Sequence, residues 1–196
     1  MSPDMLRNEM LAAAQAFGKT GRDMVYGEGP AGAALCLVGE APGAEETRLS
    51  RPFVGKAGKN LDLFLAAIRL NRPDIYITNA VKFRPCRISP KGTVSNRPPD
   101  REELGCMQPL LLRELEMVAP RVVVTLGNVP LKCLLGAKAS IGALHAVPVT
   151  AAALSHTFTL FPLYHPASII YNPAIKPVYE QDLIKLRRLL DTLGIG

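Results

Sequence analysis

Residues 33–38 read Ala-Ala-Leu-Cys-Leu-Val, an apolar run that stops at Gly39-Glu40-Ala41-Pro42-Gly43. A short run with no polar face suits a strand covered on both sides. Three further segments read as strands, at 75–79, 121–126 and 157–163, the last as the second arm of a hairpin within 140–163. Helical patterning falls between and around them, at 4–17, 58–70, 100–120, 128–136 and 177–193. Asp100 with Glu103 three residues on has the form of a capping box at the start of the third helix. Strand and helix in alternation predict a parallel sheet with helices on both faces. No repeat, low-complexity segment or linker divides the chain, so residues 1–196 are expected to form one domain.

Each predicted strand runs into a polar or glycine-containing loop. Glu40 follows the first, Asn79 the second and Gly127-Asn128 the third; His165 follows the fourth, within Tyr164-His165-Pro166-Ala167-Ser168. Ligands of open α/β sheets bind just outside the carboxyl ends of the strands. A carboxylate loop and a histidine loop on one rim therefore suggest an active site. An aromatic hook, Arg51-Pro52-Phe53-Val54-Gly55, follows the first loop. His145 and His156 lie outside these motifs and are expected to be core histidines satisfied by backbone carbonyls.

The net charge of +6 is by itself that of an ordinary basic protein. Its distribution says more: Lys82, Arg84, Arg87, Lys91 and Arg97 lie in a segment with no acid, just past Asn79, which predicts a phosphate-binding loop. No apolar run reaches membrane-spanning length, and the N-terminal residues lack a signal-peptide pattern. A cytoplasmic location with no membrane partner is expected. The four cysteines, Cys36, Cys86, Cys106 and Cys133, contain no CxxC. Cys36 and Cys133 read as small buried hydrophobes, and Cys86 with Cys106 supply too few ligands to close a metal site. Free thiols in a reducing compartment are expected.

The motifs GEAPG (39–43), RPFVGKAG (51–58), YITNAVK (76–82), VVVTLGNVPLKCLLG (122–136) and LYHPAS (163–168), in that order, resemble the uracil-DNA glycosylase superfamily. Within it the sequence is most similar to the type-four, iron–sulfur enzymes, over about residues 24–190. The resemblance implies a three-layer α/β/α sandwich on a four-stranded parallel sheet. It implies hydrolysis of the N-glycosidic bond of deoxyuridine in DNA, with an abasic site and free uracil as products. A monomer is expected. The alternatives are a glycosylase for another deaminated base, hypoxanthine or xanthine, and a DNA-binding relative without catalysis.

The resemblance also implies roles. Glu40 matches the motif carboxylate that stabilises positive charge on the sugar and orients water. His165 matches the histidine that donates to the departing base. Phe53 fits a stacking platform, and Asn79 carries the amide that pairs with N3–H and O4 of uracil. Gly39 and Ala41 complete the pocket, and Glu46 is expected near C5, where it helps to exclude thymine. Pro42, Gly43, Ala167 and Ser168 are expected beside the DNA backbone, with small side chains and free N–H groups. Lys82, Arg84 and Arg87 are assigned to phosphates. Ile169, Ile170 and Tyr171 are the candidates for a wedge that fills the gap left by a flipped base.

The sequence departs from the family at three places. Ala12 and Gln15 stand where its N-terminal CxxC belongs, Phe83 stands at the third cysteine with Cys86 displaced, and Cys106 alone is retained. No cluster and no other cofactor is expected, with Phe83 and Ala12 packing in its stead. Tyr171 replaces a common arginine, and Leu144-His145 replaces a basic residue and glycine.

Overall fold

The computed structural model describes residues 2–196, apart from the side chains of residues 56, 57, 170 and 171. Helix α1 (Pro3–Gln15) is capped by Ser2 and buries Leu6, Met10 and Ala14, a stripe at intervals of four. Strand β1 (Leu35–Gly39) is buried along its whole length. Leu35 and Leu37 point into one core layer, Cys36 and Val38 into the other. Next come α2 (Ala44–Leu49), α3 (Lys56–Ala67), β2 (Tyr76–Asn79) and a small hairpin, β3 (Cys86–Ile88) with β4 (Val94–Asn96). Then follow α4 (Arg101–Val118), β5 (Val122–Leu126), α5 (Asn128–Leu135), α6 (Ile141–Leu144), the hairpin β6 (Val149–Ala153) with β7 (His156–Leu163), α7 (Ser168–Tyr171) and α8 (Lys176–Thr192).

The main sheet has the order β2-β1-β5-β7-β6. Its first four strands are parallel and β6 runs antiparallel at the edge. The expected four-stranded parallel sheet is thus present, extended by a fifth strand. β6 is the first arm of the anticipated hairpin, and its alternating exposure suits an edge with one covered face. One core layer packs β1, β5 and β7 against α3 and α8; the other packs them against α4 and α5. Outside these layers α1 lies on α4, with Phe83 buried between them. The Asp100–Glu103 capping box forms, each side chain taking the other's backbone N–H at 2.9 Å.

Three short elements, α2, β3 and β4, fall inside segments expected to be loops. α2 has six residues, too few for a helical period to register. β3 and β4 have three residues each, around a turn in which Gly92 takes φ +78°. The chain builds outward from β1 to β2, then crosses back to lay β5 on the other side of β1. The carboxyl ends on either side of that reversal carry the polar residues.

Candidate active site

The ends of β1 and β2 are joined by backbone hydrogen bonds. Ala80 N–H donates to the Gly39 carbonyl at 2.8 Å and Val81 N–H to the Glu40 carbonyl at 3.1 Å. Gly39 lies opposite Asn79 in the register, and a Cβ there would run into Asn79 Oδ1 and the Phe53 ring. The glycine leaves room for a cleft of about 420 Å³, lined by Ala41, Gly43, Glu46, Phe53, Asn79, Asn96, His165 and Ala167 among others. Asn79 is 3% exposed.

Phe53 adopts φ +54°, a left-handed conformation that costs a non-glycine residue about 1–3 kcal/mol. It is held from both sides. Arg72 Nη2 donates to its carbonyl at 2.7 Å, and Gly58 is needed beside that carbonyl because a Cβ would collide with it. The next two N–H groups, Val54 and Gly55, donate to Glu46 Oε1 at 3.0 and 2.7 Å. Glu46 Oε2 takes the Gly43 N–H at 3.2 Å. Glu46 therefore lines the cleft and also ties its two loops together with both carboxylate oxygens. The Phe53 ring faces the His165 ring, 22° from parallel, with centroids 6.3 Å apart.

The His165 loop folds back on its own imidazole. Ala167 N–H donates to Nδ1 at 3.1 Å, and Ser168 N–H to the His165 carbonyl at 2.8 Å. An Nδ1 that accepts leaves the proton on Nε2. Burial also holds the imidazole below its ordinary pKa, so the ring is a neutral donor. Glu40 is half-buried, and no described residue donates to its carboxylate; burial pushes its pKa up. Glu40 opens into a second cavity of about 560 Å³, with Tyr164, Ser168 and Asn172 in its wall. His165 borders both cavities and is where they meet.

Several expectations change. Lys82 is not a phosphate ligand: its side chain is 0% exposed, and Nζ donates to Thr78 Oγ1, the Asn79 carbonyl and Glu114 Oε2 at 2.6, 2.5 and 2.6 Å. Arg97 is bound to Glu103 at 2.6 and 2.8 Å. Arg84 is half-buried and donates to Asn96 Oδ1 at 2.6 Å, while Arg87 is exposed beside Ser95. The N–H groups of Gly43, Ala167 and Ser168 are spent inside the loops rather than free. Pro42 is buried. Asn128 Oδ1 accepts from Ile141 N–H at 2.9 Å, a capping role. His156 Nε2 contacts the Pro120 carbonyl at 2.7 Å as expected, but His145 Nδ1 meets the Asp182 carboxylate, at 2.7 Å, in place of a carbonyl. The side chains of Ile170 and Tyr171 lie outside the described residues.

The family model of the Uracil DNA glycosylase superfamily matches residues 26–186. The chain belongs to that superfamily. It is 35% identical over 179 residues to the type-4 uracil-DNA glycosylase of Saccharolobus solfataricus, covering 89% of this chain and 79% of the relative. It is 33% identical over 190 residues to the type-4 uracil-DNA glycosylase of Archaeoglobus fulgidus, covering 95% and 92%. The crystal structure of Pedobacter heparinus SMUG2 shares the fold, with a TM-score of 0.57 at 13% identity over 83% of this chain and 76% of that one.

This member of the superfamily does not fit the four-thiolate iron–sulfur cluster of the type-four enzymes. Cys36 and Cys133 sit in the sheet layer against α4 and α5, where burial raises both thiols, Cys133 to about 11. Two cysteines remain. Among the described residues no group of three or more Cys, His, Asp or Glu side chains could hold a metal ion. Phe83 packs with Leu6, Met10, Ala14 and Met107, and the Phe17 ring lies 5.6 Å away. Ala12 is exposed and takes no part in that packing, because the helix turns Leu6, Met10 and Ala14 inward instead.

Three residues of the site escaped sequence reasoning. Asn96 needed the β3–β4 hairpin, whose three-residue strands are too short for alternation to register. Arg72 and Glu114 act across 19 and 32 residues of chain, and nothing local marks them.

Proposed function

We propose that this protein hydrolyses the N-glycosidic bond of deoxyuridine in DNA, releasing uracil and leaving an abasic site. The observation that carries the reading is the neutral His165, an Nε2–H donor bordering both the Asn79 cleft and the Glu40 cavity. Uracil enters the cleft against Phe53. Asn79 Oδ1 accepts from N3–H and its Nδ2 donates to O4; cytosine offers the reverse pattern and leaves buried partners unpaired, at about 1–3 kcal/mol each. As the C1′–N1 bond breaks, its electron pair leaves with the base and charge gathers on O2, where His165 donates. One preorganised donor of this kind contributes about 3 kcal/mol. The sugar becomes cationic and is stabilised by the Glu40 carboxylate, which also orients the water. That water supplies the new bond to C1′, and its proton ends on the uracil anion.

Gly39 and Ala41 shape the pocket. Pro42, Gly43, Ala167 and Ser168 admit the DNA backbone through small or recessed side chains. Arg84 and Arg87 contact phosphates, and Ile170 and Tyr171 supply the wedge. Glu46 bounds the C5 side of the base while it staples the loops. The protein works as a monomer in the cytoplasm, without a cluster.

Oligonucleotides carrying one U, T, hypoxanthine or xanthine test this directly. Alkali-labile sites at U alone are expected. Cleavage mainly at a purine would move the assignment to another deaminated base, and binding without cleavage would remove the catalytic role. Glu46→Gln is expected to keep the fold but loosen the Phe53 loop, since an amide NH₂ then faces either the Gly43 N–H or those of Val54 and Gly55, and the remaining N–H groups meet a neutral oxygen. Charged hydrogen bonds contribute about 1.5–3 kcal/mol, so kcat/KM for U should fall about tenfold or more. An unchanged kcat/KM would mean that Arg72 alone holds the loop.

A further inference from the structure

In the β3–β4 hairpin, Cys86 lies opposite Asn96, Arg87 opposite Ser95 and Ile88 opposite Val94. Side chains alternate between the faces of a strand. Cys86, Ile88, Val94 and Asn96 therefore share one face, and Arg87 and Ser95 the other, where Arg87 Nε donates to Ser95 Oγ at 3.1 Å. Asn96 is the member of the first face that lines the Asn79 cleft, and Arg84 holds its Oδ1. The face thus begins at the mouth of the cleft and runs outward to Ile88 and Val94. Both apolar side chains stand in solvent, 71% and 47% exposed. Opposed apolar pairs of this kind ordinarily cover a core. No acidic residue lies between 82 and 99, and Lys91 is exposed at the turn beyond the pair.

We propose that the Ile88–Val94 face is a subsite for the base next to uracil on the same DNA strand, covering that base once it is unstacked. This rests on the uracil-glycosylase reading above. The occupant follows from continuity and charge. A strand whose uracil sits in the cleft carries its neighbouring nucleotide past the mouth, where Asn96 begins the apolar face. Arg84 and Lys91 match the phosphates of that nucleotide, and the apolar pair matches the face of its base. A second copy of this chain, at net charge +6, would bring like charge against like. In duplex DNA the neighbouring base is stacked and its faces are hidden. The subsite therefore favours uracil in single-stranded or opened DNA.

The test uses the Ile88→Ser/Val94→Ser double variant, which alters exposed positions and should melt like the wild type. Substrates are single-stranded oligonucleotides with a central U, the same oligonucleotides with an abasic analogue on the 5′ or the 3′ neighbour, and the matching duplex. For the wild type, removing one of the two neighbouring bases should raise KM about threefold to tenfold, the scale of partial apolar burial. The variant should show that rise on the intact single strand, no further rise when the base is removed, and wild-type KM on the duplex. An unchanged KM for the variant on the intact strand overturns the proposal. So does a loss of equal size with the base present or absent. Fluorescence anisotropy with the same oligonucleotides, on a Glu40→Gln background with and without the double substitution, gives the same comparison without cleavage, so a failure of the glycosylase reading would be told apart from a failure of the subsite.

Discussion

Glu40→Gln is expected to slow uracil release on the order of a thousandfold while leaving DNA binding intact. The substitution removes the charge and keeps the shape. No described residue donates to the Glu40 carboxylate, so no protein hydrogen bond is lost with it. What disappears is the anion that the proposed reaction sets against the sugar as its charge develops. His165→Ala should cost about a hundredfold by the same logic, through the lost donor to O2. The pH profile carries the sign. In the proposed reaction Glu40 acts as the anion, and burial raises its pKa. The acid limb of kcat/KM should therefore be displaced upward from that of an ordinary glutamate, and it should vanish in Glu40→Gln. Stability runs the opposite way. A group whose folded pKa is raised contributes fully below its unfolded pKa, and loses that contribution as pH rises through the folded value. At neutral pH the buried Glu40 anion is thus a cost, and Glu40→Gln should melt at or above the wild-type temperature, with the gap closing in acid. His165 has a lowered pKa, so its contribution is present above its ordinary value and fades as pH falls through the folded value. A Glu40→Gln variant that loses binding and cleavage equally would make Glu40 a structural residue.

The sheet was legible because its central strands have no polar face. A run such as 33–38 or 121–126 is buried on both sides before any contact is known, and helices must supply the cover. The rim followed from that, since Glu40, Asn79 and His165 each end such a run. Charge was less legible. Lys82, Arg84, Arg87 and Arg97 have one sign in the sequence, yet Lys82 and Arg97 are drawn to Glu114 and Glu103. Lys82 could not be sorted without the fold, because its acid lies on a helix that packs behind β2. Glu46 was read as a wall of the pocket; its larger work, taking three backbone N–H groups, depends on loops that only the folded chain brings together. The hairpin was missed for a different reason. Three-residue strands are below the length at which alternation can be told from chance.

Lys82→Met should destabilise the protein by about 3–5 kcal/mol, because it leaves the Glu114 carboxylate buried without its counter-charge. That is a large share of the roughly 5–15 kcal/mol by which domains are stable. Denaturant melts will read it. Glu114, 2% exposed, also accepts from Tyr76 OH at 3.0 Å and from Thr78 Oγ1 at 3.0 and 3.2 Å, so removing its charge alone would leave the Lys82 ammonium stranded. The double variant Lys82→Met/Glu114→Gln removes both charges and keeps an acceptor for the two hydroxyls. It should regain most of the lost stability, as neutral replacements of buried pairs generally do. It should not regain full activity. Lys82 Nζ is the donor to the Asn79 carbonyl, and the Asn79 amide is the group proposed to hold uracil. With that donor gone the end of β2 is fixed only by the sheet, and inhibition by free uracil should weaken about tenfold, the scale of one charged hydrogen bond. A double variant that regains stability but binds uracil weakly would assign the buried pair two separable tasks, one for the core and one for the pocket. If wild-type inhibition returns together with stability, the sheet alone is enough to aim Asn79.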